Sequence, residues 1–131
     1  MIEEFSNPFL PPSVIVHGLG HAIRAVASAL PVTLLSAPGA GAAWGCLWWQ
    51  ELLAATGHHG PALLDCAASP GRAAEALAIG LNGIVLTPGA SWSEIAALAA
   101  QSSALLLPKP PTALDLGLKR NERRLIPWLG G

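Results

Sequence analysis

Charged side chains are scarce in this 131-residue chain, at 11% of its residues, against about 25% in ordinary soluble domains. Hydrophobic residues make up 52%. A surface with so few charges exposes much apolar area, and such area commonly marks a subunit interface or a partner-binding surface. We therefore expect a homo-oligomer.

Long apolar runs, a basic excess and a cysteine framework are also lacking. Every hydrophobic run is interrupted well before the roughly 20 residues that a membrane-spanning helix needs, and a formal net charge of −1 gives no field for binding nucleic acid. Residues 1–5 lack the basic and apolar regions of a signal peptide. Cys46 and Cys66 have neither C-x-x-C spacing nor secreted-scaffold density, so we expect free thiols. These absences predict a cytoplasmic protein that binds neither nucleic acid nor a membrane.

From Val14 onward the chain repeats one pattern: a short apolar run, a loop with Gly or Pro, and an Ala/Leu-rich segment with helical spacing. The apolar runs predict strands over 14–16, 32–35, 62–65, 84–87 and 105–107. The intervening segments predict helices over 21–30, 42–56, 71–81, from 91 onward, and over 112–120. Ser69 and Ser91 are predicted helix caps, the latter in a capping box with Glu94.

Strands that are apolar throughout and separated by helices are typical of a parallel sheet covered on both faces. We predict a single α/β domain over residues 1–131: a three-layer, doubly wound parallel sheet of about five strands in the flavodoxin-like order 2-1-3-4-5. Residues 1–13 form an N-terminal extension and 119–131 a C-terminal tail in this interpretation. The alternative is half of a (β/α) barrel that dimerises, because strand–helix units of this length also build barrels.

Three strand ends, Leu64-Asp65, Leu86-Thr87 and Lys109-Pro110, resemble the layout of receiver domains. The resemblance implies a flavodoxin-like fold. Receiver domains also carry an acidic pair after their first strand to hold magnesium, where this chain has His17 and Gly18. Phosphorylation is therefore not assigned to Asp65, which we interpret as a loop anchor or a helix cap.

Polar residues and glycines collect in the loops after the predicted strands, at the edge where parallel sheets bind ligands. The candidates are His17, Gly18, Gly20, His21, Ser36, Asp65, Cys66, Ser69, Thr87 and Ser91. Several helix N-termini point their free amides at this edge, which favours a small anionic ligand or metabolite. Lys109 is the only cation predicted nearby. Short strand–helix loops also need Gly for turns and Ser or Asp for caps, so a purely structural edge is the alternative.

No cofactor or metal is predicted. The stretch over 17–20 resembles half of a dinucleotide fingerprint, but Ile23 stands where a third glycine is needed and Ser36 where an acidic residue is needed. His17 and His21 are four residues apart without a further ligand at a regular offset. Cys66 facing either histidine would be an activated nucleophile, yet no local signature supports it. No catalytic residue is assigned, and whether the protein is an enzyme stays open.

Aromatic residues are concentrated on one predicted helix. Its interface candidates are Trp44, Trp48 and Trp49, which fall within a short stretch of one helix, and Leu52, which continues the same stripe at i, i+3 and i, i+4 spacing. Tryptophan is enriched at protein interfaces. The sequence therefore supports two function classes, a domain that binds a small anion at the carboxyl edge of its sheet and a non-catalytic oligomerisation or partner-binding domain.

Overall fold

The computed structural model describes residues 10–131, so the first nine residues of the expected N-terminal extension lie outside the described part. Six strands form one all-parallel sheet: β1 (Ser13–Val16), β2 (Thr33–Ser36), β3 (Ala62–Asp65), β4 (Gly83–Val85), β5 (Leu105–Leu107) and β6 (Ala113–Asp115). The helices are α1 (Leu19–Ala27), α2 (Ala40–Trp44), α3 (Leu47–Thr56), α4 (Pro70–Ala78), α5 (Trp92–Gln101), a 3₁₀ helix (Lys119–Arg124) and α6 (Leu125–Trp128). A single parallel sheet flanked by helices confirms the predicted α/β class. None of the described helices is long and apolar enough to cross a membrane.

The order of the strands corrects the prediction. The sheet runs β5-β4-β3-β2-β1-β6, whereas the order 2-1-3-4-5 places β1 between β2 and β3. β1 instead pairs with β2 through Val14 and Leu34, and with β6 through Val14 and Leu114. Every strand of a parallel sheet carries the same apolar pattern, so local sequence does not report which strand becomes its neighbour.

The two faces of the sheet are packed differently. Alternate strand residues such as Val14, Leu34 and Leu64 share a core cluster with residues from the helices. On the opposite face, Leu35, Leu63, Val85 and Leu107 form a second cluster. Within residues 10–131 this second cluster is packed by other strand residues and Leu10, with no helix over it. The second helical layer of the predicted three-layer architecture is therefore not found in the described part of the chain.

The connection between β5 and β6 requires a curved sheet. Ala113 begins β6 six residues after Leu107 ends β5, a stretch that spans at most roughly 22 Å. In a flat sheet, five strand spacings of about 4.8 Å would separate these two edge strands by about 24 Å. The sheet therefore curls so that its edges approach each other, with the helices outside and the second cluster on the concave side. Strands in sequential order with helices on the outer face also characterise consecutive units of a (β/α) barrel, the alternative prediction.

Local boundaries follow the sequence signals with two exceptions. The single helix predicted over 42–56 is broken into α2 and α3 because Gly45 has a positive φ of 77°. The segment predicted as a helix over 112–120 is instead β6, a turn and the start of the 3₁₀ helix. Ser69 caps α4 as predicted, accepting a hydrogen bond from the Arg72 N–H at 3.3 Å. α5 begins directly after Ser91, but the Ser91 side chain makes no cap hydrogen bond.

The C-terminal tail packs back on the helix-covered face. The indole N–H of Trp128 donates to the carbonyl of Ser13, 2.8 Å away. Leu125 and Leu129 are buried in the main core. The 3₁₀ helix lies against α1, where Arg24 donates to Glu122 at 2.9 Å. Residues far apart in sequence are thereby gathered around the start of β1.

Candidate functional site

A histidine–aspartate pair lies where β1 and β6 end side by side. The register of the two strands sets Ile15 opposite Asp115, and the His17 Nε2 lies 2.7 Å from the Asp115 Oδ1. The Gly117 N–H donates to the same oxygen at 2.8 Å. Burial opposes ionisation of Asp115, but the hydrogen bonds from His17 and Gly117 outweigh it and lower its pKa.

The ionised carboxylate fixes the tautomer of its partner. A carboxylate can only accept, so the His17 Nε2 must carry the hydrogen that it donates to Asp115. In the neutral ring, the lone pair is then on Nδ1. Within residues 10–131, no hydrogen bond engages this nitrogen, and the His17 side chain is 39% exposed. Asp115 therefore orients an imidazole whose other nitrogen is available to a ligand.

His21 completes the cluster from the first turns of α1. Its Nδ1 accepts the backbone N–H of His17 at 3.0 Å, and the two rings pack edge to face with centroids 5.7 Å apart. Burial, and then the neighbouring His17, lower the pKa of His21. Protonation of His21 at Nδ1 would also remove the acceptor of the His17 N–H, so the neutral ring fits this arrangement.

Gly117 is required by the close approach of the pair. A Cβ at this position would lie 2.5 Å from the His17 Nε2 and 3.0 Å from the Asp115 Oδ1. Any larger residue would therefore displace the imidazole from the carboxylate.

The start of α1 beside this pair is open. Gly18 is the N-cap, no side chain caps the helix, and its first turn holds no acidic residue. A Cβ at Gly18 or Gly20 would meet no other atom within 4 Å. The first-turn amides of a helix have no partners within the helix and carry partial positive charge. The structure thus places the candidate residues His17, Gly18, Gly20 and His21 together at the carboxyl end of β1.

The segment after Asp115 supplies basic residues that the sequence analysis did not expect near this edge. Lys109 follows β5, which pairs with neither β1 nor β6. The turn after Asp115 instead leads directly into the 3₁₀ helix, whose sequence KRNERR holds four of the seven basic residues of the chain. Because β6 pairs with β1, this basic segment lies on the same side of the sheet as the His17–Asp115 pair.

Ser36 and Asp65 hold the loops of the neighbouring strands rather than a ligand. The Ser36 Oγ accepts the Asp65 N–H at 2.9 Å and donates to the Ala37 carbonyl at 3.2 Å. The Asp65 Oδ1 accepts the Ala67 N–H at 2.9 Å. Both side chains are buried. Asp65 is therefore a loop anchor, one of the two structural roles expected for it.

Cys66 is not an activated nucleophile. Its thiol is fully buried, and burial, followed by the charge of Asp65, raises its pKa to about 12. A thiol with this pKa is protonated at neutral pH and has little nucleophilic character. Cys46 is also buried, and both cysteines are free.

The remaining candidates lie elsewhere along the edge. Ser69 already caps α4. Thr87 and Ser91 line a separate cavity of about 250 Å³ together with Pro70 and Trp92, and His17 is not part of its wall. Within residues 10–131, Thr87 and Ser91 therefore line a cavity of which the His17–Asp115 pair is not a part.

Asp115 is the site residue that sequence reasoning missed. It lies 98 residues from His17, in a segment predicted to be helical. A signal was present, because Ala113–Asp115 ends in Leu-Asp, as β3 does. Both aspartates close a strand and bond a backbone amide two residues later.

The predicted tryptophan interface is only partly at the surface. Trp49 and Leu52 are buried in the main core, because α3 turns that side toward the sheet. Trp48 is half-buried. Trp44 is exposed, as is Leu47, which was not among the candidates.

Within residues 10–131, no group of three His, Cys, Asp or Glu side chains has an arrangement that could hold a metal ion. The fold and the site together define a parallel α/β domain with a histidine–aspartate pair at the carboxyl edge of its sheet. Comparison of the chain with protein-family models, with curated proteins and with solved structures finds no match.

Proposed function

We propose that this protein binds a small anionic ligand at the edge formed by β1 and β6, in contact with His17 and the first turn of α1. The observation that carries the proposal is the hydrogen bond between the His17 Nε2 and Asp115. It fixes an exposed imidazole beside a helix start that no side chain caps. A fixed donor or acceptor binds a ligand with less entropic cost than a mobile one.

The charges around the site favour a ligand of low negative charge. The N-terminus of a helix carries roughly half a positive charge. Lys119 and Arg120 follow within five residues of Asp115 in the chain. Asp115 opposes an anion, but its charge is engaged by the hydrogen bonds of His17 and Gly117. We therefore expect a monoanion or dianion such as phosphate or a small carboxylate, with a Kd on the order of millimolar.

Other helix starts provide the comparison within the same molecule. At the start of α4, the Ser69 side chain already accepts a hydrogen bond from the Arg72 N–H. At the start of α5, Glu94 lies in the first turn. A carboxylate at that position already complements the helix dipole and repels an anion. The start of α2 also lacks both features, but α2 has only five residues. Among the longer helices that directly follow a strand, α1 is the one without either feature.

Titration of the ¹⁵N-labelled protein with sodium phosphate, sulfate and acetate, at constant ionic strength, tests the proposal. We expect saturable amide shifts at Leu19, Gly20 and Gly117, and none beyond the salt effect at Arg72. His17→Ala should weaken the binding of phosphate by about tenfold or more, because the His17 Nδ1 accepts a hydrogen bond from the hydroxyl group of hydrogen phosphate. His59→Ala, at an exposed histidine in the loop after α3, should leave it unchanged. Equal responses at α1 and α4, or no response at tens of millimolar, would contradict the proposal.

A further inference from the structure

A second surface of the molecule joins exposed apolar groups to a hollow. Trp44 is 67% exposed and Leu47 64%, the largest values among the exposed large hydrophobic residues of the described range 10–131. Both line a cavity of about 420 Å³ whose other wall includes Arg72, Glu75 and Ile79 of the α4 region. These five residues are called the tryptophan patch below.

The exposed indole is held in place. The Trp44 ring packs edge to face on Trp48 at 5.5 Å between centroids, and Trp48 packs on Trp49 at 5.4 Å. Trp49 is fully buried in the core. An aromatic side chain held by its neighbours loses little rotamer freedom on binding, which is typical of the residues that dominate interfaces.

The charges of the tryptophan patch are balanced. Arg72 donates to Glu75 at 3.2 Å, one turn apart on α4, and both side chains are more than 40% exposed. A complementary partner surface would present an anion to Arg72, a cation to Glu75, an apolar side chain to the cavity and an apolar recess to Trp44. The tryptophan patch itself has all four of these features.

We propose that the tryptophan patch binds a second copy of this chain in a two-fold symmetric dimer. In an isologous interface the same patch meets itself, so Trp44 of each copy enters the hollow of the other. Arg72 of one copy then faces Glu75 of the second copy, and the reverse. Dimerisation would also cover apolar surface in a chain with only 11% charged residues. The dimer is independent of anion binding, because the tryptophan patch shares no residue with the His17 site.

Sedimentation velocity from about 1 to 100 μM provides the first test. We expect a concentration-dependent monomer–dimer equilibrium, weakened at least about tenfold by Trp44→Asp, as befits a central aromatic residue of an interface. Ile23→Asp, at an exposed apolar position of α1, should leave the equilibrium unchanged. Thermal unfolding of both variants checks that each is folded. A wild-type chain that stays monomeric throughout, or two variants with equal effect, would overturn the proposal.

Charge reversal tests the identity of the partner more sharply. With Arg72→Glu the patch carries two carboxylates, and with Glu75→Arg it carries two cations. Each variant alone should dimerise at least about tenfold more weakly than wild type, whereas an equimolar mixture should form a 1:1 heterodimer. Loss of the intrachain bridge is a small effect, because exposed pairs contribute little. If the mixture is no more dimeric than either variant, the two-fold arrangement is wrong.

Discussion

At the scale of the residue, His21 couples the site to pH through its hydrogen bond with the His17 backbone. Its pKa is lowered from 6.5 by burial and by His17. At pH values between the lowered pKa and 6.5, His21 is protonated in the unfolded chain and neutral in the folded protein. The folded state therefore has its full stability above about pH 6.5 and loses part of it as the pH falls through that range.

We predict that His21→Asn reduces this pH dependence. The asparagine Oδ1 can still accept the His17 N–H, but the side chain no longer titrates. Urea unfolding at about pH 8, 6.5 and 5 would measure the free energy of unfolding of both proteins. The wild type should lose more stability toward acid than the variant does. His59→Asn is the control, and an identical pH slope in wild type and His21→Asn would contradict the prediction.

Gly117 offers a second test at this scale. Gly117→Ala should push the His17 ring away from Asp115, because the added Cβ would overlap the His17 Nε2. The ¹⁵N chemical shifts of the His17 imidazole should move, while the free energy of unfolding changes by less than about 1 kcal/mol, since the pair is substantially exposed. Gly89→Ala, in another carboxyl-edge loop with no atom near the added Cβ, should leave those shifts in place. Unmoved His17 signals in Gly117→Ala would contradict the prediction, because they would show that the backbone at position 117 shifts and the ring does not.

At the scale of the element, α2 packs closely on β3 through Gly41. A Cβ at Gly41 would lie 2.8 Å from the Leu64 Cγ and 2.9 Å from the Asp65 carbonyl oxygen. The backbone of β3 cannot move aside without breaking its pairing with the strands on either side. Gly41 therefore sets the distance between this short helix and the sheet.

We predict that Gly41→Ala destabilises the protein by about 1 to 3 kcal/mol, the usual cost of overpacking. Gly20→Ala is the matched control, because Gly20 also occupies the second position of its helix and its added Cβ meets no atom within 4 Å. That change should be neutral, or stabilising by up to about 1 kcal/mol from helix propensity. Urea unfolding measures the free energy of unfolding of the two variants. Equal values would contradict the prediction and would show that α2 can shift away from the sheet.

The sequence predicts elements well where they are buried throughout and poorly where they depend on distant contacts. Ala62–Asp65 is buried at all four positions, and its apolar run marks the strand that is found there. Ala113–Asp115 is buried at one position of three, lies among prolines and basic residues, and becomes a strand by pairing with β1. Tertiary context overrides such weak local preferences. For this reason the sequence analysis did not identify Asp115, which is one of the two residues of the histidine–aspartate pair.

At the scale of the whole molecule, the curvature of the sheet explains the second apolar cluster. Leu35, Leu63, Val85 and Leu107 come from four successive strands, and each is at most 4% exposed. On a flat sheet with no helix above them these side chains would face solvent. The short connection from β5 to β6 curls the sheet around them, so they pack against one another on its concave side as in the interior of a barrel.

This arrangement predicts that the concave side contributes to stability as strongly as the helix-covered side. Leu63 and Leu64 are adjacent in β3, both fully buried, and belong to the two different clusters. Leu63→Ala and Leu64→Ala should each cost about 2 to 5 kcal/mol, because each leaves a cavity in a packed core. Leu98→Ala, at an exposed position of α5, should change the free energy of unfolding by less than about 1 kcal/mol. Chemical unfolding of the three variants distinguishes the geometries. If Leu63→Ala behaves like Leu98→Ala, the second cluster is open to solvent and the sheet is not curled around it.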